Sequence, residues 1–156
     1  MMRLWIASDH AGFPLKKKFV ENASRWGVTW IDLGTDSEEQ SVDYPQFGES
    51  LARAVIAGTQ EDERLKPCGV LICGSGVGVS IAANRFAQVR AVLALRADVA
   101  KLSREHNASN VLCLGARILN FEEAVEIFET WLATPFEGGR HQRRVDQLTH
   151  MKGKHA

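Results

Sequence analysis

Val70-Leu71-Ile72-Cys73-Gly74-Ser75-Gly76-Val77-Gly78-Val79-Ser80-Ile81-Ala82-Ala83-Asn84 is the stretch on which the fold turns. An apolar run that ends in a cysteine, crosses three alternating glycines and resumes with helix formers spells a buried strand, a backbone cradle and a helix start. Glycines let backbone N–H groups approach an anion with no Cβ in the way, and the positive end of a helix dipole favours negative charge on a thiolate or a ligand. The stretch reads as a site for anionic chemistry, with Cys73 as its base or nucleophile. Cys68 and Cys113 lack this context and read as small core residues.

Upstream, residues 4–7 form a short apolar strand, and Ser8-Asp9-His10-Ala11-Gly12 places polar groups at its carboxyl end. Pro14 opens a helix with Leu15, Phe19, Ala23 and Trp26 on one face and Lys16, Lys17 and Lys18 outward, and Gly27 stops it. A second strand over 28–33 leads through a polar loop, 34–42, to Asp43-Tyr44-Pro45. Pro45 starts a helix with Phe47, Leu51, Ala54 and Val55 inward, which fades at Gly58; the charged run 59–67 reads as a solvated surface loop.

Downstream, 91–95 is a fourth strand, and Asp98 is placed to cap a helix ending in Arg104-Glu105-His106-Asn107. Residues 111–114 make the fifth strand. Asn120 with Glu123 forms a capping pair ahead of the helical stripe Phe121, Ala124, Val125, Phe128, Trp131 and Leu132, which Pro135 ends. After Gly138 and Gly139 a short closing helix puts Arg140 and Arg144 on one face. Residues 1–150 read as a single domain and 151–156 as a frayed tail.

Five strands alternating with helices predict an α/β fold, a three-layer α/β/α sandwich around a five-stranded parallel sheet with a C-terminal helical extension. In such sheets ligands bind beyond the carboxyl ends of strands at a topological switch point. Polar groups follow strand one at Asp9 and strand three at Cys73, so those two strands are expected to be neighbours.

Composition narrows the function. The 156 residues are 45% hydrophobic, with 19 basic and 19 acidic residues that cancel, so no overall field draws the chain to nucleic acid or an anionic membrane. The basic group near the C-terminus is short and lacks interleaved aromatics, which also disfavours nucleic acid. Three cysteines, an odd number without paired metal-ligand spacing, suit a reducing compartment, and no apolar run reaches spanning length, so a soluble cytoplasmic protein is expected.

Common phosphate motifs fail in turn. A dinucleotide fingerprint starting at Gly74 needs glycine or alanine where Val79 stands, and no Lys-Ser/Thr pair follows the glycines as a P-loop requires. A cysteine phosphatase loop needs an arginine to grip the phosphoryl group, and Val79 occupies its place.

Taken together, Ser8-Asp9-His10-Ala11-Gly12, Asp43-Tyr44-Pro45, 73–84, Ser103-Arg104-Glu105-His106-Asn107 and Gly138-Gly139-Arg140-His141 make the chain resemble the ribose-5-phosphate isomerase B and galactose-6-phosphate isomerase family. The resemblance spans nearly the whole chain and implies a Rossmann-like, cofactor-free and metal-free aldose-ketose isomerase working through a cis-enediolate. It assigns the proton-transferring base to Cys73 and the anion hole to Gly74, Ser75, Gly76 and Gly78. One branch of the family carries a glutamate base where Val79 stands here, so the chain resembles the cysteine-dependent branch. Ser75 stands where many members have threonine.

The resemblance further gives ring opening to His106 with Asp9, sugar hydroxyls to Asn107 and Tyr44, and the phosphate to Arg140 and Arg144, joined by His10, Arg117 and His141. It also implies a homodimer or dimer of dimers with the site at a subunit interface. Ribose 5-phosphate is the first substrate expected. The alternatives are a four-carbon or six-carbon sugar phosphate, such as allose or galactose 6-phosphate, and a sugar-phosphate-binding protein without catalysis.

Overall fold

The structure, a computed structural model, describes the backbone of residues 1–61 and 65–151, and the side chains among them except at 59–67. The strands are β1 (Met2–Ser8), β2 (Val28–Asp32), β3 (Leu65–Cys73), β4 (Ala91–Leu93) and β5 (Val111–Gly115). They form one parallel sheet in the order β2-β1-β3-β5-β4. As expected, β1 and β3 are neighbours, with Ser8 opposite Ile72. The chain leaves β1 toward one edge and β3 toward the other, which makes their carboxyl ends the switch point.

Alternation along the strands sorts the core into two faces. Leu4, Ile6, Val70 and Ile72 pack beneath α1 (Phe13–Glu21), α4 (Ala97–Asn107) and α5 (Phe121–Ala133). Trp5, Ala7, Leu71 and Cys73 face α2 (Tyr44–Glu61) and α3 (Val77–Ala83). The stripe on α5 is core, with Phe128 and Trp131 fully covered, and Asn120 and Glu123 form the expected capping box. The closing helix α6 (Arg140–His150) turns Val145 and His141 inward.

Several local expectations give way. The first helix is shorter than its apolar stripe: α1 ends at Glu21 and a 3-10 turn over Ala23–Trp26 carries Trp26 onto Phe19, ring to ring at 5.4 Å. Lys16 does not lean outward. It is buried and its ammonium meets the Asp32 carboxylate at the carboxyl end of β2, because its place next to Leu15 faces the sheet edge rather than solvent.

The second helix does not fade at Gly58. It continues to Glu61, because the missing side chain leaves room for the Trp5 indole, which a Cβ at this position would strike. The solvated loop expected over 59–67 is correspondingly replaced at its ends by α2 and by β3, which begins at Leu65; residues 62–64 of that expectation lie outside the described residues, as does the tail beyond Met151. Asp98 does not cap α4. Arg96 holds the cap position in extended conformation, and Asp98 sits inside the first turn, paired with the Arg96 guanidinium. β4 stops at Leu93, and Leu95 is exposed.

Candidate functional site

At the switch point the chain ends of β1 and β3 are fixed before any functional side chain is considered. Asp9, 6% exposed, turns its carboxylate back to accept the Gly12 N–H at 3.0 Å, closing the turn that follows β1. His10 lies against the backbone of Val42: its Nδ1 is 3.1 Å from the Val42 nitrogen and 3.2 Å from the Val42 oxygen, so one tautomer accepts and the other donates.

Cys73 closes β3 and is 5% exposed. The Gly76 N–H donates to its sulfur at 3.2 Å, so the cradle read from the sequence is aimed at the thiol itself. This requires glycine: Gly76 has φ 78°, and a Cβ there would lie 2.6 Å from the Leu93 side chain and 2.9 Å from the Leu114 carbonyl carbon. Gly76 also precedes α3, so sulfur sits at the positive end of that helix. Ser75 Oγ accepts the Val77 N–H at 3.2 Å.

The cradle has two side walls. The Tyr44 ring, from the first residue of α2, lies over Gly78, and the Arg117 guanidinium lies beside Gly74. Arg117 is held there by its own backbone N–H, which bonds the Gly74 carbonyl at 2.9 Å. Asp9, His10, Tyr44, Cys73, Ser75 and Arg117 thus line one open cleft of about 310 Å³, with Gly74 and Gly78 in its floor. Ile118, exposed and apolar, completes the rim and had no signal in the sequence.

Cys113 lies two residues short of the β5 position facing Cys73, in the same core layer. Burial pushes its thiol far up from the ordinary range, and the neighbouring Cys73 adds to the effect, which keeps it protonated and inert.

The other expected residues gather elsewhere. His106 stacks on His141 of α6, with ring centroids 4.3 Å apart and planes at 12°, and His141 Nε2 is 3.4 Å from Glu137 Oε2. One ligand atom from each of His106, Glu137 and His141 falls within 4.8 Å of the others. A metal ion binds in the plane of an imidazole, however, and two nearly parallel stacked planes do not share one such point, so the trio is a stacked pair with a carboxylate rather than a preformed metal centre. Arg140 and Arg144 are exposed on α6. Asn107 borders a separate cavity of about 630 Å³, between 84–93 and the end of α6. None of His106, Asn107, Arg140, His141 and Arg144 lines the Cys73 cleft of its own chain.

A polar network that sequence reasoning missed fixes this second group. Ser109 Oγ accepts Trp131 Nε1–H at 2.8 Å and pairs with Ser103 Oγ at 2.8 Å. Arg104, whose pKa burial lowers, donates to the carbonyls of Ser109 and Thr134 at 2.5 and 3.2 Å. These bonds hold the turn through Ala108, at φ 47°, that ends α4 just after His106 and Asn107. The Glu137 N–H bonds the Glu105 carbonyl at 3.1 Å and ties the α6 approach to the same turn.

A parallel α/β sheet whose switch point carries a thiol, a carboxylate and a histidine in one cleft, with the Gly76 N–H on the sulfur, offers a small-molecule site with the groups that proton transfer needs. The chain belongs to the Ribose/Galactose Isomerase family, whose model matches residues 4–148. It is 44% identical over 149 residues to ribose-5-phosphate isomerase B of Escherichia coli, covering 96% of this chain and 95% of that relative. Among solved structures it is similar to Clostridium thermocellum ribose-5-phosphate isomerase B, at 40% identity and TM-score 0.90 over 99% of this chain and 100% of that one. It is also similar to ribose-5-phosphate isomerase B from Mycoplasma genitalium with bound ribulose 5-phosphate, at 39% identity and TM-score 0.85 over 95% of this chain and 94% of that one. Among the described residues no helix is long and apolar enough to cross a membrane.

Proposed function

We propose that this chain interconverts ribose 5-phosphate and ribulose 5-phosphate through a cis-enediolate, with Cys73 as the proton carrier. The observation that carries the reading is the Cys73 sulfur, with the Gly76 N–H directed at it, in the floor of a cleft that also holds Asp9, Ser75 and Tyr44. The thiolate takes the C2 proton of the open-chain aldose, the C–H electrons form the C1=C2 bond, and the carbonyl electrons move to O1. The cradle around Gly74, Ser75, Gly76 and Gly78 supplies N–H donors for that developing oxyanion. Cys73 exchanges its proton with solvent in the open cleft and then gives a proton to C1 while the O2 proton passes to O1, leaving the ketose and a thiolate. No other reactant is consumed.

Ring opening precedes this step and falls to His106 with Asp9; Asn107 and Tyr44 hold sugar hydroxyls. Arginine forks suit a phosphate, which gives Arg140, Arg144 and Arg117, with His10 and His141, to the phosphate end. Since five of these residues lie outside the Cys73 cleft of their own chain, the complete site is a composite in a two-fold homodimer. One copy supplies the cradle and the other the tip of α4 with α6. The protein works in the cytoplasm on a small phosphorylated sugar.

The test is a turnover panel across four-, five- and six-carbon aldose phosphates. The reading expects the highest kcat/KM on ribose 5-phosphate; turnover of allose or galactose 6-phosphate with none of ribose 5-phosphate replaces the substrate, and binding of ribose 5-phosphate without exchange of its C2 proton removes the catalytic reading.

A further inference from the structure

Among the described residues Lys16 stands out from the other lysines because the fold buries it, at 2% exposure, while most other described charged groups lie in water. Its ammonium donates to both oxygens of Asp32, at 2.8 and 2.7 Å, and to the Thr35 carbonyl at 2.5 Å, so all three protons have acceptors. The Phe13 ring covers it at 5.4 Å. Burying an ammonium is costly unless it is fully partnered, so Lys16 ties the half-exposed Asp32 carboxylate and the Thr35 carbonyl to the buried end of α1.

What they hold is the entry to the loop that leads to Tyr44. Asp32 Oδ1 also accepts the Gly34 N–H at 2.9 Å, and the N–H groups of Leu33 and Thr35 bond the carbonyls of Ile6 and Ser8 at 2.8 and 3.0 Å, directly before Asp9. The far end of the same loop meets His10 at Val42 and passes into Tyr44 at the start of α2. Lys16 pins one end of this loop and His10 the other. Lys16 itself does not line the cleft.

Resting on the isomerase reading above, we propose that Lys16 is a positioning residue for substrate binding: through Asp32 and Thr35 it fixes the loop that braces His10 at Val42 and leads into Tyr44, both of which line the Cys73 cleft. A pair that served the fold alone would lower thermal stability and leave substrate affinity untouched. A positioning residue moves KM while the proton-transfer floor, built from β3 and α3, keeps its chemistry.

Lys16→Met preserves the stem and removes all three bonds. KM for ribose 5-phosphate is expected to rise about tenfold, as for lost charge-assisted hydrogen bonds, while kcat falls less than about threefold. Alkylation of Cys73 by iodoacetamide in ligand-free protein is expected to stay within about twofold of wild type. Asp32→Asn keeps the shape of the partner and is expected to raise KM in the same way but less; it decides the matter if Lys16→Met does not fold. An unchanged KM in the folded variant overturns the proposal, as does a parallel fall in kcat with faster alkylation, the mark of general loosening. If wild-type protein does not turn over ribose 5-phosphate, the isomerase reading has failed instead. The role of Lys16 is then read from the inorganic phosphate concentration that half-protects Cys73 from alkylation. That concentration should rise about tenfold in Lys16→Met, and no change overturns the proposal.

Discussion

The cleft at the ends of β1 and β3 and the tip of α4 against α6, the two halves of the proposed composite site, are built by different means. The cleft is made of backbone: strand ends locked by register, a Gly76 N–H aimed at sulfur, and one ring and one guanidinium laid over glycines. The α4–α6 group is made of side chains on helix surfaces, two stacked imidazoles and exposed arginines, steadied from behind by Arg104, Ser109 and Trp131. The cleft is set by folding one chain. In the proposed dimer the helix tips acquire their task only when they face the cleft of the other copy.

The comparison breaks most simply at Cys73. Cys73→Ala deletes one small side chain at a strand end and is expected to lower kcat by about a thousandfold or more, the scale of a lost general base, with the circular dichroism spectrum unchanged. Turnover within about tenfold of wild type would take the chemistry away from the cleft.

Mixing sharpens it next. Cys73→Ala and His106→Ala homodimers are each expected to be nearly inactive. In a mixed dimer one site carries both defects and the other carries neither. Unfolding the two together and refolding them should therefore restore about a quarter of wild-type activity, half the dimers being mixed with one good site of two. No recovery with mixed dimers present would place both residues in one subunit's site.

Gly76→Ala tests how far the cleft depends on backbone. The positive φ and the contacts with Leu93 and Leu114 carbonyl carbon predict a loss of about 1–3 kcal/mol, read as a lower Tm, together with reduced turnover as the N–H shifts from sulfur. An unchanged Tm would contradict the requirement for glycine at this point of the cradle.

The smallest effect belongs to Cys113. Its thiol is pushed up in the fold, so the unfolded chain loses that proton first as pH rises. The stabilisation is complete below the unfolded thiol's pKa of about 8.5 and declines above it. Cys113→Ala should flatten the alkaline fall in stability measured by urea unfolding between neutral and alkaline pH. An identical slope would contradict this.

The difference between the two regions also decides what could be read in advance. Glycine spacing after a strand is a local signal, so the place of Cys73 beside its cradle was legible, and polar groups after both strands marked β1 and β3 as neighbours. The separation of His106, Arg140 and Arg144 from that cleft was not, because residue types and spacing say nothing of where helix tips lie relative to a strand end. Lys16 was misread as solvated for a related reason: in a run of three lysines only the tertiary position of Asp32 marks one as buried. Gly58 looked like a helix end because its packing partner, Trp5, is far away in sequence. Asp98 has the composition of a cap, yet Arg96 next to it captures its carboxylate.

The assignment of proton transfer to the cleft is tested most directly by following ribose 5-phosphate in heavy water by proton NMR, with wild-type and Cys73→Ala protein. Wild type should place solvent deuterium at C1 of ribulose 5-phosphate and wash the proton from C2 of ribose 5-phosphate, and Cys73→Ala should do neither while still binding the sugar. Deuterium exchange by Cys73→Ala at the wild-type rate would contradict the account.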